Sequence, residues 1–398
     1  MPADAVLGSR QLNRLRVLEA LHLRPASSRA ALARETGLSR ATVSNLVEEL
    51  VQARLVAEES GPAADGGLGR PPALLSLVPR AAHAVGIDFG HQHIRVAVCD
   101  LAGEPVVDDF SPARVDHAPV ETLDLAQHLV QAALERSGVP RESVLGVGMG
   151  LAVPINGATG ELEAEGILPG WRGIRPGQEM QERLGLPVRV DNDANVGALG
   201  ESAFGAGRGA RDMVYIRLSA GIGAGLILDA RPYHGFGGLA GEIGHTLSDP
   251  AGPICRCGNR GCLEAIASPV AVARLLEQRD GATISVADLL ALVARGDRGA
   301  RRAVADAGEA VGHALSAVVS VLNPELIVVG GDLARAGAVL LDPIVAAIAR
   351  HAVAPAARAV QIRTGSLGDR AEVLGAAALV LANAPRALVA RLASTTGA

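Results

Sequence analysis

The chain has no lysine: all 37 of its basic residues are arginine, a mark of genomic composition rather than of mechanism. Aromatic residues are almost as scarce, at 2% of 398 positions, against 49% hydrophobic residues and 48 glycines. Alanine, valine and leucine must therefore fill the interior, with glycine-dependent turns between elements. With 20% charged residues the chain is foldable, and its length allows two or three domains. Long apolar runs are missing too. The stretch AVVSVLNPELIVVGG is broken by Asn323, Pro324 and Glu325, and no segment reaches the roughly 18 residues that a membrane span needs. The opening MPADAVLGSRQLNRLR turns polar too early for a secretory signal, so the expectation is a soluble, cytoplasmic protein with no membrane partner. Four cysteines are too few for a disulfide scaffold, and three of them crowd into CRCGNRGC, which points to metal chemistry.

What is present divides unevenly along the chain. Residues 1–80 carry ten arginines against eight carboxylates, whereas the whole chain has a formal net charge of -5. A mildly basic head on an acidic body allows nucleic-acid contact through the head alone. Leu12, Leu15, Leu18 and Leu21 predict a helix over residues 10–23, ending near Pro25. Ser28 is placed to cap a second helix that stops at Gly37. Ser39 is placed to cap a third, with Val43, Leu46, Val47 and Leu50 inward and Arg40, Thr42, Ser44 and Asn45 outward. Two helices across a glycine-containing turn make a helix-turn-helix, and the exposed set suits base edges and phosphates. Strands near residues 55–58 and 73–77, around GPAADGGLGR, predict a β-hairpin wing. Arg29 and Arg70 are candidate phosphate contacts, which position a protein without specifying sequence. A small helical protein-interaction module is the alternative that periodicity alone leaves open.

From residue 83 the pattern changes to strands. HAVGIDFG, HIRVAVCDL and EPVVDDF read as three adjacent strands, followed by a helix over 121–137 and a buried strand in VLGVGMGLAVP. The turn at Asp88-Phe89-Gly90 lets backbone amides approach a phosphate, with the aspartate available to a metal or water. After the strand LPVRV, Asp191-Asn192-Asp193-Ala194-Asn195 places a carboxylate where it can accept a sugar hydroxyl's proton, although the same run also suits a helix cap. Ser219-Ala220-Gly221-Ile222-Gly223 joins two strands by a turn that suits a nucleotide phosphate or a permissive hairpin. Cys255, Cys257 and Cys262, with His245 ten residues upstream of the first, supply one imidazole and three thiolates. That set fits tetrahedral, structural zinc with no position left for a reactive water. Such an ion would brace Glu242 and Glu264 from behind. The alternative is a group of ordinary reduced thiols, while Cys99, in RVAVCDL, reads as core.

The head string SRAALARETGLSRATVSNLVEELVQARLV and the ordered marks DFG, LPGW at 168–171, DNDAN, GIGAG, GEIGH, CRCGNRGCLE and NPELIVVGG resemble the ROK family, named for repressors, open reading frames and kinases. The resemblance implies an α/β protein: a winged helix-turn-helix in residues 1–80, then a two-lobed actin-like ATPase fold of the sugar-kinase type. Its lobes would be 81–190 and 191–398, with the zinc loop in the second and the C-terminal helices returning to the first. It implies that Asn192, Asp193, Glu242, His245 and Glu264 surround a sugar. Asp193 would be the catalytic base were phosphorylation to occur, with ATP and Mg at Asp88, Gly90, Gly221 and Gly223 and the adenine near Gly330 and Gly331. Active members carry a second glycine and a threonine after the first-loop glycine, and a threonine in the second loop. Here those places hold His91, Gln92 and Ala220, which weakens the kinase case. The expectation is a sugar-responsive repressor, a homodimer or homotetramer on an inverted-repeat operator, coupled through the junction at 76–84. The alternatives are an ATP-dependent carbohydrate kinase and a structural DNA-associated protein. A long helix from Arg301 to Val321 is expected at the interlobe or subunit region, and RLASTTGA as a fraying tail.

Overall fold

The computed structural model describes residues 8–24, 26–60, 73–156, 159–162 and 167–396. Its first elements follow the serine and glycine punctuation. Helix α1 (Ser9–Leu23) turns Leu15, Leu18 and Leu21 inward. The short strand β1 (Ser27–Ser28) leads into α2 (Arg29–Thr36), where the Ala31 amide donates to Ser28 Oγ at 3.2 Å. Gly37 ends that helix at φ 70°, a conformation that a side chain disfavours. Helix α3 (Arg40–Gln52) is capped in the same way, Thr42 N donating to Ser39 Oγ at 3.1 Å, and buries Val43, Leu46, Val47 and Leu50. Arg10 and Arg14 of α1 both pair with Glu49 of α3. Strands β2 (Val56–Ser60) and β3 (Ala73–Leu77) are antiparallel, and β1 adds a third strand that the sequence reading did not contain, two residues being too short for a periodic signal. The wing's turn, and Arg70 with it, lies outside the described residues.

The body holds two five-stranded sheets. Strands β4 (His83–Gly90), β5 (His93–Asp100) and β6 (Pro105–Pro112) form an antiparallel meander. Helix α4 (Pro119–Ser137) crosses to β7 (Val144–Leu151), parallel to β4, and α5 (Pro176–Leu184) leads to β8 (Val188–Asn192), parallel to β7. After α6 (Asp193–Phe204), strands β9 (Met213–Leu218), β10 (Ile222–Leu228) and β11 (Arg231–Pro232) form a second meander. Helices α7 (Leu263–Ala267), α8 (Pro269–Asp280), α9 (Val286–Ala294) and α10 (Arg298–Leu322) precede β12 (Leu326–Gly330), which joins β9 in parallel. Helices α11 (Ala338–His351) and α12 (Ala354–Ala359) lead to β13 (Gln361–Thr364) on β12. The orders β6-β5-β4-β7-β8 and β11-β10-β9-β12-β13 are the same plan used twice. The sequence shows no convincing internal repeat, because matching topology requires only matching apolar patterns and not matching residues.

Two expectations change. Helix α10 belongs to the second lobe, where Val304, Val311, Leu315 and Val319 share a core with Leu340, Ile344 and the β9 and β12 side chains. It does not bridge the lobes. The chain's last segment is no fraying tail through residue 396. Helix α13 (Ala371–Leu381) returns to pack on β4, β7 and α6, and α14 (Ala384–Thr396) lies against α1. Leu388 and Val389 are buried in one cluster with Leu15, Leu18, Leu21 and the β4–β5 residues Ala84, Ala97 and Cys99. Head and body thus share a continuous core. Among the described residues no single helix is long and apolar enough to cross a membrane.

Candidate functional site

One cleft brings together Asn192, Asp193, Glu242, His245 and Glu264 from three separate stretches of chain. Asn192 ends β8 and caps α6: its Oδ1 accepts from Ala194 N at 2.9 Å while its Nδ2 donates to Val153 O at 3.2 Å. The cap and pocket readings of DNDAN therefore hold together. Asp191, just behind, is fixed by Asn195 Nδ2 at 2.9 Å and faces His234 Nε2 at 2.7 Å. Glu242 and His245 flank one turn of 3-10 helix, and Glu264 opens α7, where it accepts from the Ile222 amide at 3.1 Å. Burial, with Asp193 and Glu264 nearby, pushes the Glu242 carboxyl up to about 7. His91, Arg217 and Arg256 also line the cleft, and none of them was a sequence candidate for it. Arg256 Nε pairs with Glu264 at 2.9 Å.

Behind this wall stands a cluster of side chains able to hold a metal ion. His245 Nδ1 lies 3.6 Å from Cys255 Sγ, Cys257 Sγ lies 3.7 Å from Cys262 Sγ, and all four donors fall within 4.8 Å of one another. Tetrahedral zinc with Zn–S bonds of about 2.3 Å requires ligand separations of roughly 3.8 Å, so the donor set fits. Burial and the adjacent thiols push Cys262 up to about 12 and burial raises Cys255, whereas at Cys257 backbone and thiol hydrogen bonds outweigh burial and lower the pKa. Gly261, at φ 71°, permits the loop's close approach to the Asp249 carbonyl. The other imidazole nitrogen, His245 Nε2, is 3.9 Å from Glu242 Oε2, so a single ring reaches both cluster and cleft. Cys99 is buried core, as its sequence context implies.

The side expected to take a phosphoryl donor is filled by the protein's own groups. Asp88, 2% exposed at the end of β4, meets His93 Nε2 at 2.9 Å through Oδ2. His93's ring lies over Gly90, where a Cβ would collide with it. His91, expected to crowd that turn, faces Asp116 instead, at 2.8 Å, because it sits in the two-residue turn outside the strand ladder, whereas His93 is paired directly opposite Gly90. Arg217 Nη1 pairs with Asp193 Oδ2 and its Nε with Glu372 Oε1, both at 2.8 Å, and Tyr215 Oη donates to Glu372 at 3.1 Å. Burial alone would lower the Arg217 pKa, but Asp193 and Glu372 raise it above its ordinary value. The remaining glycines have protein neighbours: Gly221 lies under Glu264, Gly223 against Ala194, Gly330 against Tyr215 and Gly331 against the Leu218 backbone.

On the head, Arg40 and Asn45 are exposed and Thr42 and Ser44 are half-buried, with Thr42 Oγ1 2.8 Å from Ser39 Oγ. Arg29 is held by Glu58 through contacts of 2.6 and 2.9 Å, so a phosphate would have to compete with that carboxylate.

The ROK family model matches residues 84–383. The chain belongs to the ROK family. The MarR family model matches residues 10–65, the helix-turn-helix of this ROK protein. The chain is 30% identical over 356 residues to the xylose repressor of Bacillus subtilis (strain 168), covering 89% of this chain and 91% of the relative. It is 33% identical over 313 residues to a glucokinase of Halalkalibacterium halodurans, covering 74% of this chain and 94% of that enzyme. Its structure is similar to the crystal structure of a ROK family transcriptional regulator homologous to the E. coli MLC protein. There the TM-score is 0.80 at 26% identity, covering 96% of this chain and 98% of the other. The repressor and regulator matches extend through the winged head, whereas the glucokinase match spans less of the chain.

Proposed function

We propose that this ROK protein is a sugar-responsive, DNA-binding transcriptional regulator acting as a repressor. The observation that carries the reading is the shared core of α1, α13 and α14, which joins a helix-turn-helix to a cleft lined by polar side chains. A sugar's hydroxyls would donate to Asp193, Glu242 and Glu264 and exchange hydrogen bonds with Asn192 and His245. His245, Cys255, Cys257 and Cys262 would hold zinc, which supplies structural charge and no open coordination position. Held through Nδ1, His245 presents Nε2 to the sugar beside Glu242. In a two-fold homodimer, or a homotetramer built from such dimers, two α3 helices one DNA turn apart would read an inverted repeat. Arg40, Thr42, Ser44 and Asn45 would face base edges, with Arg29 and Arg70 at phosphates.

Coupling requires that the sugar favour one arrangement of the heads. Asp193 is the first residue of α6, and α6 sits flush on α13: a Cβ on Gly375 would overlap the Val196 carbonyl, and one on Gly200 the Ala371 carbonyl. Helix α13 continues to α14 and so to α1, a second route beside the junction at 76–84. The test is an operator-binding titration with neutral sugars, starting from xylose and glucose, with and without ATP. The expected result is a change in operator affinity of roughly tenfold or more that needs no nucleotide. Operator affinity that ignores every sugar would refute the reading. Asp193 and the glucokinase similarity favour a second reading, an ATP-dependent carbohydrate kinase. ATP-dependent formation of sugar phosphate would establish it.

A further inference from the structure

A metal-bound polyphosphate in such a cleft needs two things: open backbone at the first β-turn to cradle phosphate, and carboxylates free to hold the ion. The residues present do not fit it. The backbone at Gly90 is covered by the His93 imidazole, and Phe110 stacks on that ring with centroids 5.2 Å apart and planes 24° apart. The carboxylates in reach are Asp88, Asp193 and Glu372, each under a tenth exposed. Two of them already share the Arg217 guanidinium and the third is bonded to His93 through Oδ2, which leaves Asp88 Oδ1 buried without a hydrogen-bond partner. Burial works against a charged His93, but its bond to Asp88 raises its pKa above the ordinary value. The Arg217 cation and the His93 imidazole thus stand among three carboxylates. Seating a dication there would bring like charges together or strand a buried ion pair without its partner.

We propose that Arg217 and His93 are resident partners of these carboxylates that exclude a metal-bound nucleoside triphosphate and commit the cleft to binding sugar without phosphorylating it. Arg217 also sets the chemistry of Asp193. With Oδ2 in the ion pair and Oδ1 accepting from the Ala194 amide at 2.8 Å, Asp193 is held as an ionised acceptor for a sugar hydroxyl rather than as a base free to remove its proton. The inference rests on reading the cleft as a sugar pocket, but its test uses a different ligand.

The test is calorimetric titration of Mg–ATP and of a non-hydrolysable ATP analogue into the full chain, compared with His93→Ala and with the double variant His93→Ala/Arg217→Thr. Circular dichroism and thermal unfolding report whether each variant is folded. The single variant keeps the Arg217 ion pairs, so it remains informative if the double variant does not fold. The native chain is expected to show no saturable nucleotide binding. His93→Ala should gain weak binding, and the double variant should bind roughly tenfold or more tightly than the single, the scale of charge-assisted hydrogen bonds made available. Nucleotide binding by the native chain would overturn the proposal. So would a folded His93→Ala, or a folded double variant, that binds no better than the native chain. A native chain that binds neither sugar nor nucleotide would sink the sugar-receptor reading and leave the exclusion by Arg217 and His93 to be decided by the variants.

Discussion

On one side of the cleft, Glu242 and His245 face open space, and their placement depends on a four-donor cluster behind them. On the other, Asp88, Asp193 and Glu372 face one another across Arg217 and His93, which bond to them from within. The residue types are nearly the same on both sides. The difference lies in what each carboxylate is paired with, and it teaches that the presence of an acidic motif says less about chemistry than the number of acceptor positions left for a ligand.

The largest break in this comparison should come from Cys262→Ser. Loss of a thiolate ligand frees His245 and the loop carrying Arg256, and sugar affinity is expected to fall by about 100-fold or more. Elemental analysis should show lost metal and calorimetry lost sugar binding. Unchanged sugar affinity in a metal-free variant would show that the cluster does not brace the cleft. Asp193→Asn acts on both sides at once. It replaces the ionised acceptor while Glu372 still holds Arg217, and sugar affinity should fall by roughly 10–100-fold, measured by the same titration. Near-native affinity would mean that Asp193 serves Arg217 and not the sugar. The smallest effect is expected from Arg256→Ala. The Arg256–Glu264 pair is partly exposed, so releasing Glu264 to the ligand should raise sugar affinity by no more than about fivefold. A clear loss instead would make Arg256 a direct sugar contact.

Features whose cause is local were legible in the sequence. Ser28 and Ser39 before their helices, Gly37 after α2, and the spacing of Cys255, Cys257 and Cys262 each act within a few residues. The sugar-facing residues were legible because they lie in recognisable strings, which fold into one wall. Arg217 was not: in MVYIRL it reads as an ordinary outward-facing strand residue, and only α13, some 150 positions on, brings Glu372 to it. His93 was missed for a related reason. The sequence placed two histidines at the same hairpin, and only the register decides that His91 falls in the turn at the cleft while His93 pairs opposite Gly90 and covers it. Helix α14 escaped because RLASTT looks like a polar end until α1 supplies its apolar surface.

That last helix has a consequence for biosynthesis. The helix-turn-helix precedes α14 in the chain by most of the body, yet α14 forms one wall of its core, so the newborn head can close only once α14 has been made. A ribosome that stops short of α14 would release a nearly whole sugar-binding body carrying an unfinished reader of DNA.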